Sequence, residues 1–316
     1  MKKRKIGNSG IEVAPVALGG NVFGWTVDEP TAFKIFDAFV AAGLNLVDTA
    51  DSYSRWVAGN KGGESETIIG KWLKKSGHRN KVIIATKVGS EMAPNKRGLS
   101  KAYILAAVEE SLKRMQIDHI DLYQSHYDDP DTPLEETLEA YGQLVSQGKV
   151  RVIGASNYSA ARLSDALQIS KNRGLPAYEC LQPRYNLYDR ADYEQSLEAL
   201  CREQGLSVIT YYSLASGFLT GKYRSDKDLS KSVRSSGTKL YMNERGFRIL
   251  KALEQVARQF HSTLASVSLA WLMARPGVTA PIASVTSVEQ LKDLIAATNL
   301  ELDNESIKLL TNASAY

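Results

Sequence analysis

Cysteine is scarce: Cys180 and Cys201 are the only two in 316 residues. Their separation makes neither a redox pair nor a metal-ligand set, so both read as small buried residues of a reducing compartment. Long apolar runs are missing too. No stretch reaches the roughly 18 apolar residues that suggest a membrane-crossing helix, and no h-region follows Lys2-Lys3-Arg4-Lys5, so no signal peptide is expected. An excess of one charge is also lacking. The 39 Lys and Arg against 35 Asp and Glu leave +4, spread along the chain, and the short basic start reads as a solvated terminus. A cytoplasmic location, with no membrane and no nucleic acid as partner, is the expectation. No His/Asp/Glu cluster has metal-ligand spacing, so no metal is expected. Finally, the Gly-x-Gly-x-x-Gly fingerprint is absent. Leu18-Gly19-Gly20-Asn21 runs into Val22-Phe23-Gly24, with no acidic ribose-binding residue at the usual distance, which counts against a doubly wound sheet.

What is present is a regular alternation of strand and helix patterns. Strands are expected at Val16–Leu18, Leu44–Asp48, Val82–Lys87, Ile120–Ser125, Val150–Ala155, Glu179–Gln182, Ser207–Tyr211 and Thr279–Ala283. Helical periodicity covers residues 30–42, 64–75, 100–115, 133–147, 159–173, 192–204, 244–274 (with a break), 287–297 and 303–312. Ser100 and Ser159 offer N-caps, and Thr132-Pro133 with Glu135 suggests another helix start. Gly43, Gly77, Gly148, Gly174 and Gly205 offer stops. Short apolar strands without alternation suit a sheet covered on both faces. Eight such strands with their helices predict an α/β fold, a (β/α)8 TIM barrel, as one domain spanning residues 1–316; the doubly wound sheet is the runner-up. The stretch Lys5–Val13 reads as a β-hairpin that plugs the barrel bottom. Residues 213–243 form a long Ser-, Gly- and Lys/Arg-rich loop of the kind that often serves as a lid or binding segment.

Three consecutive strands end in ionisable groups: Asp48 with Tyr53 five residues on, Lys87, and His126. On a parallel barrel those ends meet at one mouth, where active sites are built. A phenol with a reference pKa of about 10 is a protonated but sluggish acid at neutral pH. An adjacent ammonium eases its deprotonation. Lys87 could supply that ammonium, Asp48 could hold it, and a neutral His126 could orient a carbonyl oxygen. The set suits protonation of an oxygen gaining negative charge, as in carbonyl reduction. Taken singly, each residue has an ordinary structural explanation as a cap, a packing ring or a solvated charge; their joint placement is what argues for chemistry.

In order and spacing, Asp48-x-x-x-x-Tyr53 with Lys87 and His126 resembles the catalytic tetrad of the aldo-keto reductases, and the resemblance covers nearly the whole chain. It implies that Tyr53 is the general acid, Lys87 lowers its pKa, Asp48 pairs with Lys87 and also lies beside the cofactor, and His126 positions the substrate. NADPH is the implied cofactor, with NADH left open. Gly154-Ala155-Ser156-Asn157 and Leu181-Gln182-Pro183 resemble the segments whose Ser156, Asn157 and Gln182 would hold the carboxamide, and Tyr211 resembles the ring-stacking aromatic. Leu214-Ala215-Ser216-Gly217 through Lys222 resembles the loop over the pyrophosphate, with Leu214, Ser216, Gly217 and Lys222 as contacts and Arg234 as a second clamp. Gly20 and Asn21 match cofactor-touching positions after the first barrel strand. Ser284, Thr286 and Gln290 match polar positions around the 2′-phosphate and adenine, beside a helix N-terminus that could receive a phosphate.

The chain departs from the family pattern in three places. No Arg or Lys precedes Lys292 in the last segment, and Leu294 stands where many relatives carry Asn. Tyr211-Tyr212-Ser213-Leu214 replaces Tyr-Ser-Pro-Leu, and residues 54–63 enlarge the loop after Tyr53. The substrate pocket is expected to be walled by Phe23, Trp25, Trp56 and Tyr127, with Tyr212 nearby, for a small-molecule carbonyl substrate. Association into a homo-oligomer stays open. Arg97-Gly98-Leu99-Ser100 and Asp128-x-Pro130 resemble the potassium-channel β subunits, which raises a cofactor-binding sensor as the alternative function. Those proteins carry asparagine at the histidine position, and His126 favours turnover. A barrel lyase or isomerase would need a metal or phosphate site.

Overall fold

The computed structural model describes residues 1–231 and 235–316. A two-stranded hairpin, β1 (Arg4–Lys5) and β2 (Glu12–Val13), precedes eight parallel strands. These are β3 (Ala17–Gly19), β4 (Leu46–Asp48), β5 (Ile83–Val88), β6 (Ile120–Ser125), β7 (Val150–Ser156), β8 (Tyr178–Gln182), β9 (Ser207–Thr210) and β10 (Val278–Ala283). They close into a barrel in sequence order, β10 pairing back onto β3. All eight expected strands are present, their ends displaced by no more than two residues.

The helices wrap this barrel: α1 (Glu29–Ala41), α2 (Glu64–Ser76), α3 (Lys101–Met115), α4 (Leu134–Ser146), α5 (Ala160–Arg173), α6 (Glu198–Glu203), α7 (Glu244–Gln259), α8 (Leu264–Ala274), α9 (Val288–Ala297) and α10 (Asn304–Ala313). Ser100 caps α3 and Ser159 caps α5, each side chain accepting from the backbone N–H three residues on. The segment 244–274 breaks as expected. His261 takes a left-handed φ of +48°, and Thr263 then caps α8. The expected start of α4 differs: Pro133 holds the cap position without a side-chain bond. The Thr132 hydroxyl instead donates to Asp129 at 2.7 Å, because the turn 129–132 folds back on itself. A π-helical turn, Tyr193–Leu197, leads into α6. No helix among the described residues is long and apolar enough to cross a membrane.

Alternation along the strands sorts their side chains. Val47, Ile84, Tyr123, Ile153 and Leu181 face the helices in the main core. Leu46, Ala85, Leu122, Val152, Cys180, Ile209 and Ala280 turn inward. The hairpin residues Ile6, Ile11 and Val13 complete that inner cluster, so the hairpin plugs the N-terminal end of the barrel. Gly7 N donates to Ser207 Oγ at 2.8 Å, and that hydroxyl donates to Lys5 O at 2.9 Å. One step of two residues up β4, β5, β6 and β8, the inward positions become polar: Asp48 above Leu46, Lys87 above Ala85, Gln124 above Leu122, Gln182 above Cys180. The apolar floor and polar upper layer come from one strand register.

Candidate active site

The polar layer opens at the C-terminal ends of the strands into a cavity of about 2290 Å³. Lys87, on β5, is buried and donates to Asp48 Oδ2 at 2.6 Å, to Thr49 O at 2.9 Å and to the Tyr53 hydroxyl at 3.0 Å. All three hydrogens of the ammonium are thus aimed. Asp48 also accepts from the amides of Gln182 (2.9 Å) and Gln124 (3.3 Å). Tyr53 arrives from the turn after β4, where Tyr53 N bonds Ala50 O. Its ring stands edge-on to His126 with centroids 6.0 Å apart. His126 extends the β6 ladder by one step, its N–H reaching Val88 O at 2.8 Å, which keeps it in phase with Leu122 and Gln124.

The electrostatics follow from burial and charge. Burial alone would lower the Lys87 pKa, but Asp48 and Tyr53 hold it above its ordinary value. Burial pushes the Tyr53 phenol up from its ordinary value, and the Lys87 ammonium opposes that shift without reversing it. Lys87 acts on the phenol in the expected downward direction, but burial outweighs it, and Tyr53 stays protonated across the neutral range. Burial, helped by Lys87, pushes His126 well below the ordinary imidazole range, so its ring is neutral.

Residues expected at the cofactor form a linked surface. Asn21, Asp48, Ser156, Asn157, Gln182, Tyr211, Leu214, Ser216, Gly217, Lys222, Ser284, Thr286 and Gln290 all line the cavity. Several are bonded to one another. Asn157 donates to His126 O at 2.9 Å and accepts from the Tyr211 hydroxyl at 2.6 Å. Ser156 donates to Gln182 O at 2.8 Å, and Ser284 to Asn21 at 2.7 Å. Gln290 folds back on its own helix start, accepting from Thr286 N at 2.9 Å. Asn157, Tyr212 and Ser216 line the cavity with left-handed backbone, at φ of 58°, 56° and 56°. Such conformations cost energy and gather at sites that need them. Gly154 makes room for the layer: a Cβ there would lie 3.1 Å from Gln124 Cγ and 3.2 Å from Cys180 O.

Two expectations are corrected. Phe23 is fully buried against Phe36, with ring centroids 4.7 Å apart, so it belongs to the core and does not line the cavity. An apolar ring between α1 and the barrel wall gains more by packing inward than by facing the mouth. Gly20 is not part of the lining, which its neighbours Gly19 and Asn21 form. A Cβ at Gly20 would meet Asp48 O and Ser65 Oγ, both at 2.9 Å. Arg234 lies outside the described residues. Trp25, Trp56, Tyr127 and Tyr212 do line the cavity, Trp25 and Trp56 meeting edge-on at 5.6 Å. The enlarged loop after Tyr53 is pinned rather than loose: Ser54 donates to Phe23 O, and Asn60 to Gly24 O and Ser54 O. The long loop after β9 is anchored likewise, through Arg184, Asp189 and the Tyr241 hydroxyl.

Sequence reasoning passed over Gln124, Ser90 and Asp51. Gln124 had a legible signal, being two residues before His126 on the inward phase. Ser90 bonds His126 Nδ1 at 2.8 Å, a contact between two loops that no local pattern announces. Asp51 is 2% exposed, and its carboxylate oxygens have no hydrogen-bond partner among the described residues. Burial, then the nearby Glu66, raises its pKa well above the ordinary range. The folded chain therefore holds this proton more tightly than the unfolded one. That contribution to stability is complete below about pH 4 and is lost as pH rises through the folded-state value. Asp51→Asn, fixed in the neutral form, should gain stability relative to the wild type as pH rises from 4 to 8. Urea unfolding at pH 8 and pH 4 checks this. An equal difference at both pH values would reject it.

Comparison with known proteins adds an independent result. Residues 15–315 match the model of the aldo/keto reductase family. The chain belongs to that family. It is 36% identical over 319 residues to a Bacillus subtilis (strain 168) protein named uncharacterized oxidoreductase YrpG, covering 99% of this chain and 95% of that one. The aldo-keto reductase YhdN of the same organism is 31% identical, covering 98% and 92%. Protein tas of Escherichia coli (strain K12) is also 31% identical, covering 96% and 95%. In this aldo/keto reductase the resemblance first carried by Asp48, Tyr53, Lys87 and His126 extends over the full barrel, and an oxidoreductase role follows from the family.

Proposed function

We propose that this chain is an NADPH-dependent reductase that converts the carbonyl of an aldehyde or ketone to an alcohol, with Tyr53 as the general acid. One observation carries the reading: a protonated phenol lies 3.0 Å from a buried ammonium that is itself ion-paired to Asp48, beside a neutral imidazole at the cavity wall.

The cavity residues fit a dinucleotide. Amide and hydroxyl groups of Ser156, Asn157 and Gln182 lie next to Tyr211 at the tetrad end, and Ser216, Gly217 and Lys222 lie along the loop after β9. The close approach of Gly19 to Ser284, where a Cβ would stand 2.5 Å from Oγ, continues that surface toward Thr286 and Gln290. A reduced nicotinamide held by these residues would supply the hydride for the carbonyl carbon. As charge builds on the carbonyl oxygen, Tyr53 delivers its phenolic proton to that oxygen, the C=O π pair becoming the new O–H bond. Lys87 stabilises the phenolate left behind, and Asp48 keeps the ammonium charged and aimed. A donor on His126 would orient the oxygen toward Tyr53. Tyr53 then regains a proton from solvent. Trp25, Trp56 and Tyr127 offer aromatic walls to the body of a small-molecule substrate.

Mixing the purified chain with NADPH and a panel of aldehydes and ketones tests the reading. Sustained loss of reduced-nicotinamide absorbance is expected. Tight cofactor binding with no turnover on any carbonyl would replace it with a sensor role. Lys222 is the cation lining the cofactor end among the described residues. Lys222→Ala should weaken NADPH binding about tenfold, in line with one charge-assisted contact, while turnover at saturation changes little. An unchanged dissociation constant in a fluorescence titration would remove Lys222 from the site.

A further inference from the structure

A neutral imidazole carries one N–H, and which nitrogen holds it decides whether His126 can donate to a carbonyl oxygen. The ring has little freedom of plane, being stacked on Tyr127 at 4.9 Å with 14° between planes and set edge-on to Tyr53. Its Nδ1 meets Ser90 Oγ at 2.8 Å. Neither His126 Nε2 nor the Ser90 hydroxyl has another hydrogen-bond partner among the described residues, and both residues line the cavity.

We propose that Ser90 is a positioning residue for the reduction: its hydroxyl donates to His126 Nδ1, which places the ring hydrogen on Nε2 and holds that edge toward the cavity. This rests on the carbonyl-reduction reading. The opposite tautomer would present a lone pair on Nε2 to the lone pairs of a carbonyl oxygen, a repulsive contact. Ser90 lies on the loop just after β5, whose Lys87 holds the phenol, so one strand and the loop that follows it position both groups that meet the substrate oxygen. The Ser90 bond also opposes a half-turn of the ring about its Cβ–Cγ axis, which would carry Nδ1 away from the loop.

The test combines kinetics with nitrogen NMR of protein labelled with 15N-histidine, the His126 signals being those absent from a His126→Gln variant. The wild type is expected to show the neutral Nε2-protonated tautomer. In Ser90→Ala those signals should move toward a mixture of tautomers, with kcat falling about tenfold, the loss of one hydrogen bond's worth of orientation. NADPH affinity should stay within twofold, and Ser90→Thr, which keeps the hydroxyl, should restore both readouts. An Nδ1-protonated ring in an active wild type, or unchanged His126 signals in Ser90→Ala, would overturn the role of Ser90. A wild type with the expected tautomer and no turnover on any carbonyl would instead overturn the functional reading beneath it.

Discussion

Tyr53→Phe is expected to reduce carbonyl turnover by at least about 100-fold while leaving NADPH affinity within about twofold. The substitution removes one oxygen and keeps the ring, so the edge contacts with Trp56 at 6.2 Å and His126 at 6.0 Å survive. What disappears is the hydroxyl that the buried Lys87 ammonium contacts at 3.0 Å. General acid catalysis contributes roughly 10² to 10⁴ in rate, and neither His126 nor Lys87 is suited to take over. His126 is neutral and Lys87 is held above its ordinary pKa by Asp48 and Tyr53. Because Tyr53 is shifted upward, wild-type reduction should be flat through neutral pH and decline only in the alkaline range. Alcohol oxidation, which needs the phenolate, should rise there. Single-turnover measurements in both directions would show this, and a Phe variant within fivefold of wild type would mean that another acid does the work.

Lys87→Met should be the most damaging single change to stability at the site. Lys87 and Asp48 are both buried and 2.6 Å apart. Removing the cation leaves a carboxylate facing only the amides of Gln124 and Gln182, and breaking one side of such a pair typically costs about 3–5 kcal/mol. The double variant Asp48→Asn, Lys87→Met removes both charges and should recover most of that loss, because desolvation then has no ion to penalise. It should recover no activity, since nothing would stabilise the phenolate. Urea unfolding of the two variants separates these effects. A Lys87→Met protein as stable as wild type would remove the ion pair from the account.

Much of the fold could be read from local pattern because strand and helix periodicities are local properties. The eight strands, the break within 244–274 and the Ser100 and Ser159 caps each depend on a few neighbouring residues. Where local reading failed, a contact from elsewhere in the chain had intervened. Thr132 has the side chain of a helix cap, yet Asp129 captures its hydroxyl. Phe23 sits in a loop beside the mouth, yet its ring packs on Phe36 in the core. Tyr53 and Lys87 could be paired on paper, but the net direction of the phenol's shift depends on how deeply the barrel buries it.

By itself the sequence determined which residues share a strand face. Two-residue alternation puts Leu46 with Asp48, Ala85 with Lys87 and Leu122 with Gln124 and His126, whatever surrounds them. Only the tertiary structure decided what those faces meet. Closure of β10 onto β3 brings Gln182 to within 2.9 Å of an aspartate 134 residues earlier, and two separate loops bring Ser90 to His126. The physical reason is that side-chain direction is set within a strand, whereas desolvation and hydrogen-bond partners depend on which strands and loops the closed barrel places side by side.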